Sequence, residues 1–130
     1  MKSRLVTLAV FVHIVVPAIA QVSTPGATEV VNAMALDSSG AIYVAGYADG
    51  GNQANDVLIV KLNQAGDTVW TRRYDGPVGS YDQANGIAVD KRGYVYVTGS
   101  TSIRHAPGDF PNKDMLLIRY TPGGDTSWVR

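Results

Sequence analysis

One unit of sequence occurs twice in this chain, and this repeat constrains the fold more than any other feature. Residues 31–46 match residues 84–99 at an offset of 53, with seven of sixteen positions identical. The other matched segments, both at an offset of 58, are 56–62 with 114–120 and 66–72 with 124–130. The second copy therefore holds five extra residues between its second and third segments. A unit repeated in the same order predicts a fold in which copies stack on one another.

Each copy is predicted to form four short strands, a to d, with tight a–b and c–d turns. Asp37 begins the first a–b turn and Gly40 ends it, and Asp90 and Gly93 repeat this pattern. Such a pair suits a type I turn closed by a residue with positive φ. Longer connections join b to c and one copy to the next. The predicted strands are residues 32–36, 41–47, 57–62 and 68–74, then 85–89, 94–100, 115–120 and 126–130.

The two c strands are apolar on both faces, at residues 57–60 and 115–118. A strand without a polar face is covered on both sides, which predicts small sheets stacked face to face. The alternative, a β-sandwich, gives each strand one buried face and no reason for the repeat. Glu29 is the only glutamate beside ten aspartates, and this balance disfavours helices. We predict an all-β chain of two four-stranded antiparallel β-propeller blades, residues 31–74 and 84–130, joined by a loop at 75–83.

Composition narrows the function classes. Eleven basic residues balance eleven acidic ones, so no strong field points to nucleic acid or an anionic membrane. The chain has no cysteine, which excludes disulfides, thiolate metal sites and a cysteine nucleophile.

The second copy resembles a known family of repeats. Residues 86–90, 93–99, 114–120 and the Trp128-containing ending at 124–128 are similar to the SBBP β-propeller repeats of exported bacterial proteins. The resemblance extends over both copies, and a weaker one to NHL repeats rests on residues 88–97. It implies a propeller fold and an extracytoplasmic address but no reaction, because propellers carry many functions.

The first 20 residues have the layout of a secretory signal peptide. Lys2 and Arg4 precede an apolar run at residues 5–16, and an Ala-x-Ala motif at 18–20 stands before Gln21. Residues 5–20 are fewer than the roughly 20 residues that a membrane-spanning helix needs, which disfavours the alternative of an uncleaved anchor. We predict a signal-peptide helix that is cleaved after Ala20, a lead-in at residues 21–30, and a secreted, periplasmic or cell-surface protein.

Residues that repeat at one place in each copy are expected to serve the scaffold. The turn aspartates should accept backbone N–H bonds in their own turns. The repeated aromatic residues should pack between the blades instead of stacking on a sugar. The repeated pairs are Asp37 with Asp90, Asp56 with Asp114, Tyr43 with Tyr96, and Trp70 with Trp128.

Function is expected where the copies differ, in the b–c and d–a loops at one end of the blades. The sequence predicts a non-enzymatic binding or scaffold module for a protein or carbohydrate ligand, without cofactor, metal or catalytic residues. The candidate binding residues are Asp49, Asn52, Asn55, Tyr81, Asp82, Arg104, His105, Asp109 and Phe110.

Three alternatives stay open. A glycosidase-like hydrolase would use loop carboxylates such as Asp49, Asp82 and Asp109. A calcium site would use oxygens of Asp49, Asn52, Asn55 and Asp56, although their spacing fits no EF-hand. A third role is purely structural stacking.

Two blades are fewer than the four to eight with which propellers close. We therefore expect either a fragment of a longer propeller or a ring of three or four chains. The outer faces are predicted to carry exposed apolar residues such as Val57, Ile59, Met115 and Leu117. The last strand d, which stops at Arg130, is expected to leave an edge open to pairing.

Overall fold

The computed structural model describes residues 28–51, 54–77, 80–103 and 112–130. They form two four-stranded antiparallel sheets with strand orders β1-β2-β3-β4 and β5-β6-β7-β8, which confirms the predicted all-β fold class. The strands are β1 Glu29–Leu36, β2 Ile42–Asp49, β3 Asn55–Leu62, β4 Thr68–Tyr74, β5 Tyr81–Val89, β6 Val95–Ile103, β7 Asn112–Tyr120 and β8 Thr126–Val129. The predicted signal-peptide helix lies outside the described residues. In those described ranges, no helix has the length and apolar character to cross a membrane.

The tight turns have the predicted geometry. Gly40 and Gly93 both have a φ of 82°, and the Gly40 amide donates to the Asp37 carbonyl at 3.1 Å. Gly66 and Gly124 end the c–d turns at φ values of 92° and 91°. Glycine adopts positive φ without a Cβ clash, so these four positions fix where each hairpin reverses.

Several strands are longer than predicted at the end where the loops lie. β5 begins at Tyr81 and not at residue 85, and β3 begins at Asn55 and not at residue 57. The pairs Tyr81↔Ser102 and Asp49↔Asn55 extend the ladders beyond the apolar segments. Polar residues mark these extensions, so the hydrophobic pattern that predicted the strands could not reveal them.

The main core lies between the two sheets. β5 contacts β1, β2 and β3, and side chains of both sheets interdigitate there. The core residues of the first sheet are Ala41, Tyr43, Ala45, Val57, Ile59 and Trp70, and those of the second are Ala84, Val95, Val97, Leu116, Ile118 and Tyr120.

The prediction that Val57 and Ile59 lie on an outer face is wrong. Both side chains are fully buried between the sheets. Because β3 is apolar on both faces, its sequence did not say which face meets the second sheet. Met115 is 86% exposed and Leu117 is half-buried on the outer face of the second sheet, as predicted.

A second apolar cluster lies on the other face of the first sheet. Its members alternate along β2 and β3 with the residues of the main core, so they point away from the second sheet. They are Ile42, Val44, Ala48, Leu58, Val60 and Leu62, all buried. On β1 of the same sheet, Met34 and Leu36 are 54% and 61% exposed.

Candidate functional site

The strand register brings three connections to one end of the sheets, which we call the loop end. The β2–β3 connection follows the pair Asp49↔Asn55, and the β6–β7 connection follows Ile103↔Asn112. Antiparallel pairing of β4 with β3 places Tyr74, the last residue of β4, at this same end. The link from the first sheet to the second therefore starts and finishes there.

A cleft of about 290 Å³ opens at the loop end. Three of the residues predicted from sequence, Asn55, Tyr81 and Asp82, meet in its lining. All three lie at the beginning of strands and not in loops, because β3 and β5 start earlier than predicted. The complete lining is Asn55, Tyr81, Asp82, Gln83, Ser100, Ser102 and Lys113.

Asp82 is fully buried in this lining. Its Oδ2 accepts hydrogen bonds from the Gly76 amide at 2.7 Å and from the Ser80 hydroxyl at 2.8 Å. A Cβ at Gly76 would lie 2.9 Å from both carboxylate oxygens, so glycine lets the link approach the carboxylate. Asp82 Oδ1 is also buried and has no hydrogen-bond partner in the described part of the chain.

Acidic residues of the first sheet surround this position. Arg73 forms a salt bridge with Asp56 at 3.1 Å and donates to the Asp49 carbonyl at 3.2 Å. Burial raises the pKa of Asp56, and the neighbouring charge of Asp75 raises it further. Burial also raises the pKa of Tyr74, with added contributions from Asp82 and Asp75. Among the described residues, the loop end thus combines the carboxylates of Asp56, Asp75 and Asp82 with Arg73, which pairs with Asp56, and with Lys113.

The described residues do not assemble the calcium site considered from sequence. Asp49 Oδ1 accepts the Gly51 amide at 2.8 Å, and Asp56 is engaged by Arg73. Asn52 lies outside the described residues. Across the described ranges, no group of three or more His, Cys, Asp or Glu side chains has the arrangement of a metal site.

Five of the predicted binding residues belong to segments that the structure does not describe. Asn52, Arg104, His105, Asp109 and Phe110 lie outside the described residues. Asp49 ends β2 and does not belong to the cleft lining.

Four lining residues were missed by the sequence interpretation: Gln83, Ser100, Ser102 and Lys113. Ser100 and Ser102 are two positions apart on β6 and therefore share a face, as do Gln83 and its partner Ser100. Tyr47 and Asp49 stand at the equivalents of the two serines in the first copy. The sequence signal that could have identified this part of the cleft is a pair of small polar residues at alternate positions of β6. These two residues differ from their equivalents in the first copy.

The repeated aspartates perform the structural role predicted for them. Asp37 Oδ1 accepts the amides of Ser39 and Ala41 at 2.9 and 3.0 Å, and Asp90 Oδ1 accepts the equivalent amides of Arg92 and Tyr94 at 2.8 and 3.0 Å. Asp56, in contrast, binds a side chain, Arg73.

The repeated aromatic residues differ between the copies. Tyr43 and Trp70 are buried between the sheets, as predicted. Tyr96 and Trp128 are only half-buried, because they lie on the outer face of the second sheet. Their rings still contact each other, with centroids 6.5 Å apart.

Two four-stranded antiparallel sheets of one repeated unit, with the Trp70 face of the first packed against the opposite, non-equivalent face of the second, define a module of the β-propeller type. The family model SBBP, described as a beta-propeller repeat, matches residues 69–104, from β4 of the first sheet into β6 of the second. This match confirms, over the residues that it covers, the resemblance to SBBP β-propeller repeats seen in the sequence. No curated protein matches the chain.

Proposed function

We propose that the chain is a non-enzymatic binding module of an exported protein, with two blades as scaffold and a carbohydrate as ligand. The observation that carries this proposal is the polar cleft at the loop end. Its volume of about 290 Å³ is close to the lower bound of roughly 300 Å³ for small-molecule pockets. A pocket of this size accepts one or two sugar units and not a folded partner.

The chemistry of the lining favours a ligand rich in hydroxyl groups. The amides of Asn55 and Gln83 and the hydroxyls of Ser100 and Ser102 both donate and accept hydrogen bonds. Tyr81, 42% exposed, offers an aromatic surface beside them. Centres of protein–protein interfaces are depleted of charge and rich in apolar contacts, so this lining supports carbohydrate over protein.

Asp82 belongs to the cleft lining, but its carboxylate is buried and closed off from a ligand. Its Oδ2 already accepts two hydrogen bonds, whereas Oδ1 is buried without a partner in the described residues. An unsatisfied buried acceptor costs about 1–3 kcal/mol. Asp82 therefore holds the link beside the cleft, and the contacts with a ligand are assigned to exposed lining residues such as Tyr81 and Lys113.

The alternative is a secreted hydrolase that uses the carboxylates of Asp49, Asp82 and Asp109. What favours binding is that Asp49 Oδ1 and Asp82 Oδ2 accept hydrogen bonds from their own connecting segments. Asp109 lies outside the described residues. Glycosidase and esterase panels on the exported protein discriminate the two functions. Turnover that is abolished by Asp82→Asn would establish the hydrolase and contradict the binding module.

A glycan array, followed by calorimetric titration of the best ligand, tests the binding proposal. Tyr81→Ala and Lys113→Ala are each expected to weaken binding by about tenfold, a difference of about 1.4 kcal/mol. Lys91→Ala is the matched control, since Lys91 is equally an exposed lysine but lies in the β5–β6 turn at the other end of the sheet. Equal affinity in all three variants would exclude the cleft as the site.

Export is the second part of the proposal, and its support is the basic start, apolar run and Ala-x-Ala motif of residues 1–20. These residues lie outside the described structure. Mass spectrometry of the protein recovered from outside the cytoplasm should give Gln21 as its first residue. A mature protein that keeps Met1 or Lys2 would contradict cleavage.

A further inference from the structure

Each outer face of the stacked sheets carries residues equivalent to one side of the interface between the sheets. We name the outer face of the second sheet the front face and the outer face of the first sheet the back face. The front face holds Tyr96, Met115, Leu117, Arg119 and Trp128, the equivalents of Tyr43, Val57, Ile59, Lys61 and Trp70. The back face holds Ile42, Val44, Leu58, Val60 and Leu62, the equivalents of Val95, Val97, Leu116, Ile118 and Tyr120.

Both faces expose apolar side chains that are covered at the internal interface. On the front face Met115 is 86% exposed, whereas its equivalent Val57 is fully buried against the second sheet. On the back face Met34 and Leu36 are 54% and 61% exposed. Their equivalents, Ile87 and Val89, pack against the main core. Exposed apolar surface of this kind marks a site of protein association.

Three side chains of the first sheet, Asn32, Trp70 and Arg72, donate hydrogen bonds to backbone carbonyls of the second sheet. Asn32 Nδ2 donates to the Ala84 carbonyl at 2.8 Å. Trp70 Nε1 donates to the Pro122 carbonyl at 3.3 Å, and Arg72 Nε to the Gly124 carbonyl at 2.7 Å.

Each of these donors and acceptors has an equivalent on an outer face. The repeat places donors at Asn85, Trp128 and Arg130 beside the front face. It places the equivalent acceptors at the carbonyls of Val31, Gln64 and Gly66 beside the back face. The repeat therefore supplies complementary apolar and polar groups on the two opposite faces, and the apolar centre of the back face is buried in the structure.

We propose that the front face of one copy of this chain binds the back face of a second copy, head to tail, and so repeats the internal interface. Trp128 then donates to the carbonyl of Gln64 of the partner subunit. A contact of this heterologous kind closes into a ring when the rotation allows it. Three or four copies supply six or eight blades, within the range at which propellers close.

Val44 and Leu58, at the centre of the back face, are buried in the full-length chain although the second sheet lies on the opposite face. The proposal rests on the export proposed above, and the experiment uses the exported protein once Gln21 has been found as its first residue. Light scattering during size-exclusion chromatography should give the mass of three or four chains. A monodisperse monomer at micromolar concentration overturns the proposal and leaves further blades of a longer chain as the occupant of both faces.

Two charge-introducing variants locate the contact. Met115→Arg disrupts the front face and Met34→Arg the back face, and both side chains are more than half exposed, so the fold should tolerate the changes. Each variant alone is expected to lose assembly and elute as a monomer. The control is Ser38→Arg in the exposed β1–β2 turn, where the equivalent position of the second copy already carries Lys91. Ser38→Arg should keep the mass of the unchanged protein.

A mixture of the two variants separates head-to-tail association from a symmetric contact. The Met115→Arg chain keeps its back face, and the Met34→Arg chain keeps its front face. An equimolar mixture should therefore form a dimer of one chain of each kind and nothing larger. Recovery of this dimer also shows that both variants are folded. Two monomer populations in the mixture, or a Met115→Arg variant with unchanged mass, overturn the assignment of the faces.

Discussion

The two tryptophans of the repeat occupy equivalent places and have different surroundings. Trp70 is 8% exposed and lies between Tyr43 and Tyr120, with ring centroids 6.2 and 6.3 Å away. Trp128 is half-buried and, among the described aromatic rings, contacts Tyr96. The local sequences, GDTVWTR and GDTSWVR, agree at five of seven positions. The difference in burial therefore comes mainly from the neighbour, because within the described residues a second sheet covers the tryptophan face of the first sheet alone. The repeat encodes an interface, and the position in the stack decides whether that interface forms.

The largest expected effect is a difference in the free energy of unfolding between variants of the two tryptophans. Trp70→Ala should lower the free energy of unfolding by about 3–5 kcal/mol, the usual cost of removing a buried large side chain. Trp128→Ala should cost less than about 2 kcal/mol, since its ring already contacts water. Urea denaturation in the Met115→Arg background measures both, because that substitution removes any cover that a second copy would give Trp128. Equal losses for the two variants would contradict the unequal environments.

Backbone features that form within a single sheet should not depend on whether a second sheet covers its tryptophan face. β1 carries a register shift between Val31 and Ala33, and β5 carries one at the equivalent place between Ala84 and Gly86. A Cβ at Gly46 would overlap the Val30 carbonyl, and a Cβ at Gly99 would overlap the Gln83 carbonyl. Each bulge thus requires glycine on the neighbouring strand.

Gly46→Ala and Gly99→Ala should therefore each cost about 1–3 kcal/mol, as overpacked substitutions do, and the two values should agree. Thermal unfolding measures both variants. Gly123→Ala is the matched control, because a Cβ there meets only Thr121 Oγ1 at 3.9 Å and its φ is not positive. A large difference between Gly46→Ala and Gly99→Ala would show that the bulge depends on the neighbouring sheet.

Removing a hydrogen bond between the sheets should lower stability by a smaller amount, and in the first copy of the repeat alone. Asn32 donates to the Ala84 carbonyl across the interface, whereas its equivalent Asn85 has no such bond within the described residues. Asn32→Ala is expected to cost about 1 kcal/mol, the net value of a typical hydrogen bond, and Asn85→Ala close to none. Urea midpoints of both variants, again with Met115→Arg, test this. Loss of stability on Asn85→Ala would reveal a partner for Asn85 that the isolated chain does not supply.

The sequence predicted the architecture well because its signals are local or repeated. Gly40 and Gly93 marked turns through positive φ, and the doubly apolar segment of β3 indicated stacked sheets. The side of a strand that meets its neighbour is not a local property. Val57 and Ile59 were therefore placed on the wrong face, although their burial as such was implied by the pattern.

The candidate site was predicted in part, for a related reason. Asn55, Tyr81 and Asp82 were found because they lie where the two copies differ. Ser100 is the last residue of the predicted strand and Ser102 lies beyond it, because β6 continues to Ile103 past the apolar segment that predicted it. The cleft forms between residues of β3, β5, β6 and β7, and such a combination depends on the stacking of sheets, which spacing along the chain does not express.

The smallest expected effect concerns the turn aspartates, which should respond to pH in the same direction in both sheets. The hydrogen bond from the Ser39 hydroxyl is the largest cause that lowers the pKa of Asp37 below its ordinary value of 3.8. Burial raises the pKa of Asp90, but hydrogen bonds from the Tyr94 and Arg92 amides outweigh it, so this pKa is also lowered.

A carboxyl group whose pKa is lower in the folded state binds its proton more weakly there than in the unfolded chain. Its contribution to stability is complete above the unfolded pKa and is lost as the pH falls through the folded pKa. Asp37→Asn and Asp90→Asn should therefore be slightly less stable than the unchanged protein at about pH 6, and this difference should vanish near about pH 2. Urea denaturation at several pH values measures it. Both variants should show this pH dependence in the same direction, and it should be larger for Asp37→Asn because Asp90 has no counterpart of the Ser39 hydroxyl. A difference that persists unchanged down to about pH 2 would contradict the lowered pKa values.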